Sequence, residues 1–239
     1  MRRTVLTIFA HPDDAETSAG GTLLTWAAEG AALTLCLITD GDKGTSDPKD
    51  TREDVITRRR REQDVAAARL AAEQIWLGYE DGMLQPTLEL RRDLVRVIRR
   101  VRPDTVVTHD PTVFFRHDVY INHPDHRAAG QAVIEAIYPA AKKPLAFPGL
   151  LAEGLEPHVV SEIWLALSDE PNTWVDISGV LDEKIRLICE HASQFPPAPT
   201  RTAFTRLARE AGTARGMAAA ETFHVVRQVR QTVVALADR

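Results

Sequence analysis

The sequence predicts an α/β fold: a Rossmann-like, doubly wound and mostly parallel sheet in a single domain over residues 1–239. Three observations carry that expectation. Short apolar, β-branched runs recur, segments of helical pattern separate them, and a polar loop follows each of the first four runs. Strand alternating with helix gives right-handed crossovers and a parallel sheet, whose ligands bind at the carboxyl ends of the strands.

TVLTIF (4–9) is a short apolar run with the length of a strand, and the polar stretch AHPDDAE (10–16) follows it. A helical pattern, GGTLLTWAAEG (20–30), leads to a second strand, ALTLCLIT (32–39), which ends in TDGDKGTSD. DVITRRRREQDVAAARLAAE (54–73) reads as a helix, EQIWLG (73–78) as the third strand and GYEDG as its loop. LELRRDLVRVIRRVR (88–102) is the next helix, and TVVTH (105–109) is the fourth strand, closed by HDP. INHPDHRAAG (121–130) runs into the helical pattern HRAAGQAVIEAIY (126–138), and Pro124 suits a first helical turn, where its missing N–H costs nothing. The last third holds a Pro-rich piece (144–157), a strand EIWLAL (162–167), a helix from about Gly179 to Ser193 and a break at Pro196 and Pro197. No repeat or low-complexity linker marks a domain boundary.

Composition narrows the function classes. Apolar residues make up 44% and charged residues 26%, which is ordinary for a globular protein and argues against disorder. No apolar stretch nears the ~18 residues of a membrane span. The start of the chain lacks a signal-peptide pattern, so the cytoplasm is expected. Net charge is −5, and RRRRE at 58–62 is a mixed run and not a basic stripe, so nucleic acid is not an expected partner. Cys36 and Cys189 have no CxxC spacing and read as small hydrophobes. There is no GxGxxG after the first strand and no Walker pattern, which disfavours nucleotide cofactors. A homo-oligomer is compatible with the sequence, and nothing in it decides the point.

The polar loops carry the chemistry. His11 and Asp14 are three apart, as are His123 and His126, so each pair can face one way on a turn. Two His and one carboxylate form a recurring ligand set for catalytic zinc. A hydrolytic site also wants a carboxylate that takes a proton from water, and a donor that stabilises an oxyanion. A lone His at a strand end is more often an ordinary loop residue, and Asp-Asp before a helix can simply cap it. Two clusters of HPD form on one expected rim favour a metal site. Spacing leaves open which of Asp13 and Asp14, and which of His123 and His126, would bind the ion.

AHPDDAE, TDGDKGT, LGYEDGML, HPDH, VDISGVLDEKIRLICEHASQ and the late AAAETFHVVR together resemble the LmbE/PIG-L family of zinc-dependent N-acetylglucosaminyl deacetylases. The resemblance runs from residue 5 to about 227. It implies that His11, Asp14 and His126 bind one Zn2+, that Asp13 is the general base, that His123 stabilises the oxyanion and that Asp125 orients a histidine. Arg59 and Asp81 match positions that face the sugar in relatives. Thr45 stands where members acting on inositol-linked sugars tend to carry Glu, which weakens that substrate as an expectation. His191 and Gln194 are family-like but stay outside the catalytic set, and Glu16, Asp42 and Asn122 have no assigned role.

The expected function is hydrolysis of an N-acyl group, acetyl above all, from a small-molecule amino sugar or its conjugate. If His123 acts as an imidazolium while Asp13 acts ionised, the rate follows a bell in pH. The alternatives are an amidase acting on a non-sugar or larger amide, a Mg2+-dependent phosphohydrolase, which the histidines disfavour, and a non-catalytic sugar-binding protein, which would have no need of Asp13.

Overall fold

The computed structural model describes residues 2–116 and 119–228. The elements run β1 (Thr4–Phe9), α1 (Asp14–Ala28), β2 (Ala32–Thr39), α2 (Arg52–Arg69), β3 (Glu73–Tyr79), α3 (Leu88–Val101) and β4 (Thr105–His109). A two-stranded hairpin follows, β5 (Phe115–Arg116) and β6 (Tyr120–Ile121), then α4 (Pro124–Glu135), whose continuation over Ala136–Ala141 is broken at Tyr138, where the backbone is extended (φ −132°, ψ 122°). The chain goes on through α5 (Gly149–Ala152), β7 (Glu162–Ala166), β8 (Thr173–Asp176), α6 (Leu181–Cys189), α7 (Pro197–Thr213) and β9 (Ala220–Arg227).

Seven strands form one sheet in the order β3-β2-β1-β4-β7-β9-β8. The first five are parallel, and β9 runs antiparallel between β7 and β8. β1 is apolar on both faces because both are covered. Leu6 and Ile8 join Leu94 and Ile98 of α3 and Val133 of α4 on one side. Val5 and Phe9 join Leu23 and Trp26 of α1, Leu70 after α2 and Leu187 of α6 on the other. Among the described residues no helix is long and apolar enough to cross a membrane.

Two expectations needed correction. The first helix begins at Asp14, not near residue 20, because AHPDDAE itself opens it; the carboxylates that obscured the helical pattern sit at its site-facing end. Pro197 does not break a helix; it takes the first turn of α7, where a proline is well tolerated. β8, β9 and α7 were not anticipated. Short antiparallel strands draw their stability from partners far along the chain, which local periodicity does not register.

Candidate metal centre and active site

The loops after β1, β2, β3 and β4 meet at the carboxyl rim. Asp81, after β3, donates its N–H to Asp42 Oδ1 (3.1 Å) and accepts the Lys43 N–H (3.0 Å), both from the loop after β2. Asp125, at the start of α4, accepts N–H groups from Gly82 (2.7 Å) and Leu84 (3.2 Å). These bonds gather the loops after β2 and β3 and the start of α4 beside His11.

Asp14 lies at the centre. Its Oδ1 is 3.1 Å from His126 Nε2, and its Oδ2 is 3.3 Å from His11 Nδ1 and 3.2 Å from His109 Nε2. Neighbouring donors on a tetrahedral ion with bonds of about 2.0–2.1 Å lie about 3.3 Å apart, so the first two separations suit a shared cation. Ring nitrogens of His11, His123 and His126 lie within 4.8 Å of one another, and ligand atoms of Asp14, His109 and His126 form a second such group. The expected trio His11, Asp14 and His126 straddles the two groups.

Hydrogen bonding tells which nitrogen is free. Asn122 donates Nδ2–H to the Val113 carbonyl (2.8 Å), so its Oδ1 faces His126 Nδ1 (3.0 Å) and takes the proton there. His126 Nε2 is then the nitrogen left for Asp14, 3.1 Å away. In the neutral ring it is a lone pair facing a carboxylate, an arrangement that a cation between them completes, which is how this donor set fits a metal.

Asp81 Oδ1 and Asp125 Oδ2 lie 3.0 and 3.4 Å from His11 Nε2, close enough to pair electrostatically, although that buried nitrogen has no well-aligned hydrogen bond. Burial opposes a charge on His11, but Asp125, Asp14 and Asp81 outweigh it and raise its pKa well above the usual histidine value. Burial likewise opposes ionised Asp14, and the His126 and His109 rings outweigh it, lowering its pKa well below the carboxylate range.

Asp13 is held differently. Its φ of 96° is left-handed, a strained state for a residue with a side chain. Its N–H donates to Gln63 Oε1 (3.3 Å), and Gln63 Nε2 donates to Glu16 Oε1 (2.8 Å). Arg59 reaches from α2 to pair with the Asp13 carboxylate and donates to the carbonyls of Pro12 (2.6 Å) and Gly41 (3.2 Å). A Cβ at Gly41, where φ is 63°, would collide with that guanidinium. Burial pushes the Asp13 carboxyl up to about 6, with Arg59 pulling the other way.

His123 caps α4. Its Nδ1 accepts the Asp125 N–H (3.2 Å), which leaves the proton on Nε2. Burial, with His11 and His126 nearby, lowers its pKa, which favours a neutral ring.

The structure thus gathers all eight expected residues. Arg59 and Asp81 line the cavity, but both side chains are almost fully buried, turned to Asp13 and His11 respectively. Three contributors had no role assigned from sequence, His109 and Gln63 unnoticed and Asn122 noticed only for its place. His109 stacks on His126 with centroids 4.0 Å apart, and burial lowers its pKa to about 4; it ends TVVTH, a strand whose carboxyl end was already expected on the rim. Asn122 and Gln63 act through amide geometry, which leaves no mark in spacing. Glu16 and His191 form a buried pair behind Gln63, 3.6 Å apart, and Gln194 donates to the Gly44 carbonyl at 2.8 Å.

Residues 6–137 match the family described as PIG-L, GlcNAc-PI de-N-acetylase, and all eight of these side chains lie inside the matched segment. The chain belongs to the PIG-L family. Among relatives, a diacetylchitobiose deacetylase of Thermococcus kodakarensis is 36% identical over 195 residues, 81% of this chain and 71% of that protein. A probable N-acetyl-α-D-glucosaminyl L-malate deacetylase of Bacillus anthracis is 29% identical, covering 87% of this chain and 86% of its own length. The solved structure of N,N'-diacetylchitobiose deacetylase from Pyrococcus horikoshii superposes with a TM-score of 0.87 at 31% identity, over 94% of this chain and 84% of that one. As a PIG-L member the chain is an amide hydrolase, and its mostly parallel sheet with flanking helices is the fold of these neighbours.

Proposed function

We propose that this protein removes the acetyl group from an N-acetylated amino sugar or its conjugate, using one zinc ion held by His11, Asp14 and His126. The observation that carries the reading is His126 Nε2 facing Asp14 Oδ1 at 3.1 Å with Nδ1 engaged by Asn122, beside a buried carboxylate that binds no ion pair except Arg59 among the described residues. The bound cation supplies Lewis acidity that makes water a nucleophile near neutral pH and polarises the amide carbonyl.

The protein's own groups do the rest. Asp13, held as a carboxylate by Arg59, takes a proton from the attacking water. His123 offers Nε2–H to the oxyanion, as a neutral donor that needs no reorganisation. An amide anion is too basic to leave, so the proton on Asp13 passes to the departing amine. Asp81 and Asp125 hold the His11 ring from the far side, a role we assign to Asp81 in place of direct sugar contact. Arg59 is likewise assigned to Asp13.

The test is release of amine and acetate from N-acetylglucosaminides by the purified protein, with elemental analysis of the same sample. Zinc near one per chain together with amine release, both checked against Asp13→Asn, is the expected result. Metal-loaded protein that releases amine from no N-acetylated sugar would overturn the proposal.

A further inference from the structure

The cavity lined by the catalytic groups is also lined by a set of apolar side chains. It measures about 1030 Å³, at the top of the range for sites that take drug-sized ligands and more than one sugar ring needs. Its lining includes His11, Asp13, Asp14, His123 and His126. The same cavity is lined by Val119, Tyr120, Leu167, Phe195, Phe204 and Leu207.

These six residues come from four places: the hairpin at β6, the turn after β7, the α6–α7 junction and α7 itself. Phe195 and Phe204 meet edge to face, with centroids 6.0 Å apart, forming an aromatic corner. Val119 is 88% and Leu207 47% exposed. Two arginines of the lining lie beside carboxylates, although the buried Arg116 Nε has no hydrogen bond. Arg206 bonds Glu210 at 3.2 Å, and Arg116 faces Asp169 at 3.6 Å. Apart from the Tyr120 hydroxyl and Arg116 Nε, which has no hydrogen-bond partner, these apolar side chains offer nothing to the hydroxyls of a second sugar, and each buried group left unpaired carries a penalty. The wall also differs in origin from the catalytic centre. Leu167, Phe195, Phe204 and Leu207 all fall outside residues 6–137, the segment matched to the PIG-L family.

We infer that the substrate carries an apolar aglycone, aryl or alkyl, which lies against this wall while the N-acetyl group faces Asp13. The inference rests on the deacetylase reading and names its substrate class.

The experiment measures binding by calorimetry to metal-loaded Asp13→Asn, so that no turnover is needed. The ligands are the methyl, phenyl and octyl glycosides of N-acetylglucosamine, and diacetylchitobiose. Phenyl and octyl glycosides should bind at least about tenfold more tightly than the methyl glycoside, from the apolar area they bury. Phe204→Ala and, at a more exposed position, Leu207→Ser should each bring the phenyl-to-methyl ratio toward one. Equal affinities, a diacetylchitobiose affinity above that of the phenyl glycoside, or variants that weaken all ligands alike would overturn the inference. So would sedimentation showing that Leu207→Ser dissociates an oligomer while the ratio stays fixed, since a second copy would then cover the wall. If wild type releases no amine yet the affinity ladder holds, the deacetylase reading fails and the apolar subsite stands.

Discussion

His123 Nδ1 accepts the backbone N–H of Asp125 at 3.2 Å, so one bond both caps α4 and fixes the ring's proton on Nε2. Burial also lowers the pKa of this ring, which favours the neutral imidazole as the donor in the proposed reaction. The imidazolium, on which the bell-shaped profile is conditional, is the form disfavoured.

His123→Ala should lower turnover by on the order of 10²- to 10³-fold while keeping metal and substrate affinity. With the neutral ring as donor, protonation of His123 adds to the acid limb, and an alkaline limb belongs to another group. The pH–rate profile of the variant should therefore drop as a whole with its alkaline limb in place. Loss of that limb would make the charged ring the acting form.

Asp13→Asn should cost about 10²- to 10⁴-fold in rate and leave the metal content unchanged. The carboxyl must be ionised to accept a proton, and burial pushes it up to about 6. The rate of wild type therefore falls as pH drops through that region, or below it, since a bound cation adds to the pull of Arg59. Arg59→Met removes that pull and should move the acid limb to higher pH at constant metal content. An unmoved limb in a metal-replete Arg59→Met protein would assign it to another group.

His126→Ala should lose most of its metal while its circular dichroism and cooperative unfolding persist, because the ring sits at the rim and the two cores on either side of the sheet do not depend on it. Chelation should abolish activity in wild type, and zinc should restore it. Full occupancy in His126→Ala would exclude it as a ligand. Asn122→Ala, which frees the His126 ring, should weaken metal binding by a smaller factor, read by competition with a chelator.

Asp81→Asn and Asp125→Asn should each weaken metal affinity by about 10- to 100-fold, the usual cost of removing a partner that orients a ligating histidine. A direct sugar contact at Asp81 would instead raise KM with metal affinity unchanged. The two outcomes separate cleanly in a metal titration run beside substrate kinetics.

The sequence by itself determined the strands at 4–9, 32–39 and 105–109, to the residue, and from their order the rim on which AHPDDAE, GYEDG and HPDH converge. Those features are local: strand length, apolar patterning and the parallel-sheet rule are written in contiguous residues. Only the tertiary structure decided which atoms face which. His11 and His126 are separated by more than a hundred residues of chain, yet both touch Asp14. The His126 tautomer depends on an Asn122 amide whose orientation is set by the Val113 carbonyl. Arg59 reads as one more charge in RRRRE until α2 packs beside the loop after β1 and brings it to Asp13 across 46 positions. The apolar wall arises the same way, from β6, the turn after β7 and α7 together. Spacing orders residues within one turn, but protonation, pairing and cavity shape depend on contacts between turns that only the closed fold brings within hydrogen-bond reach.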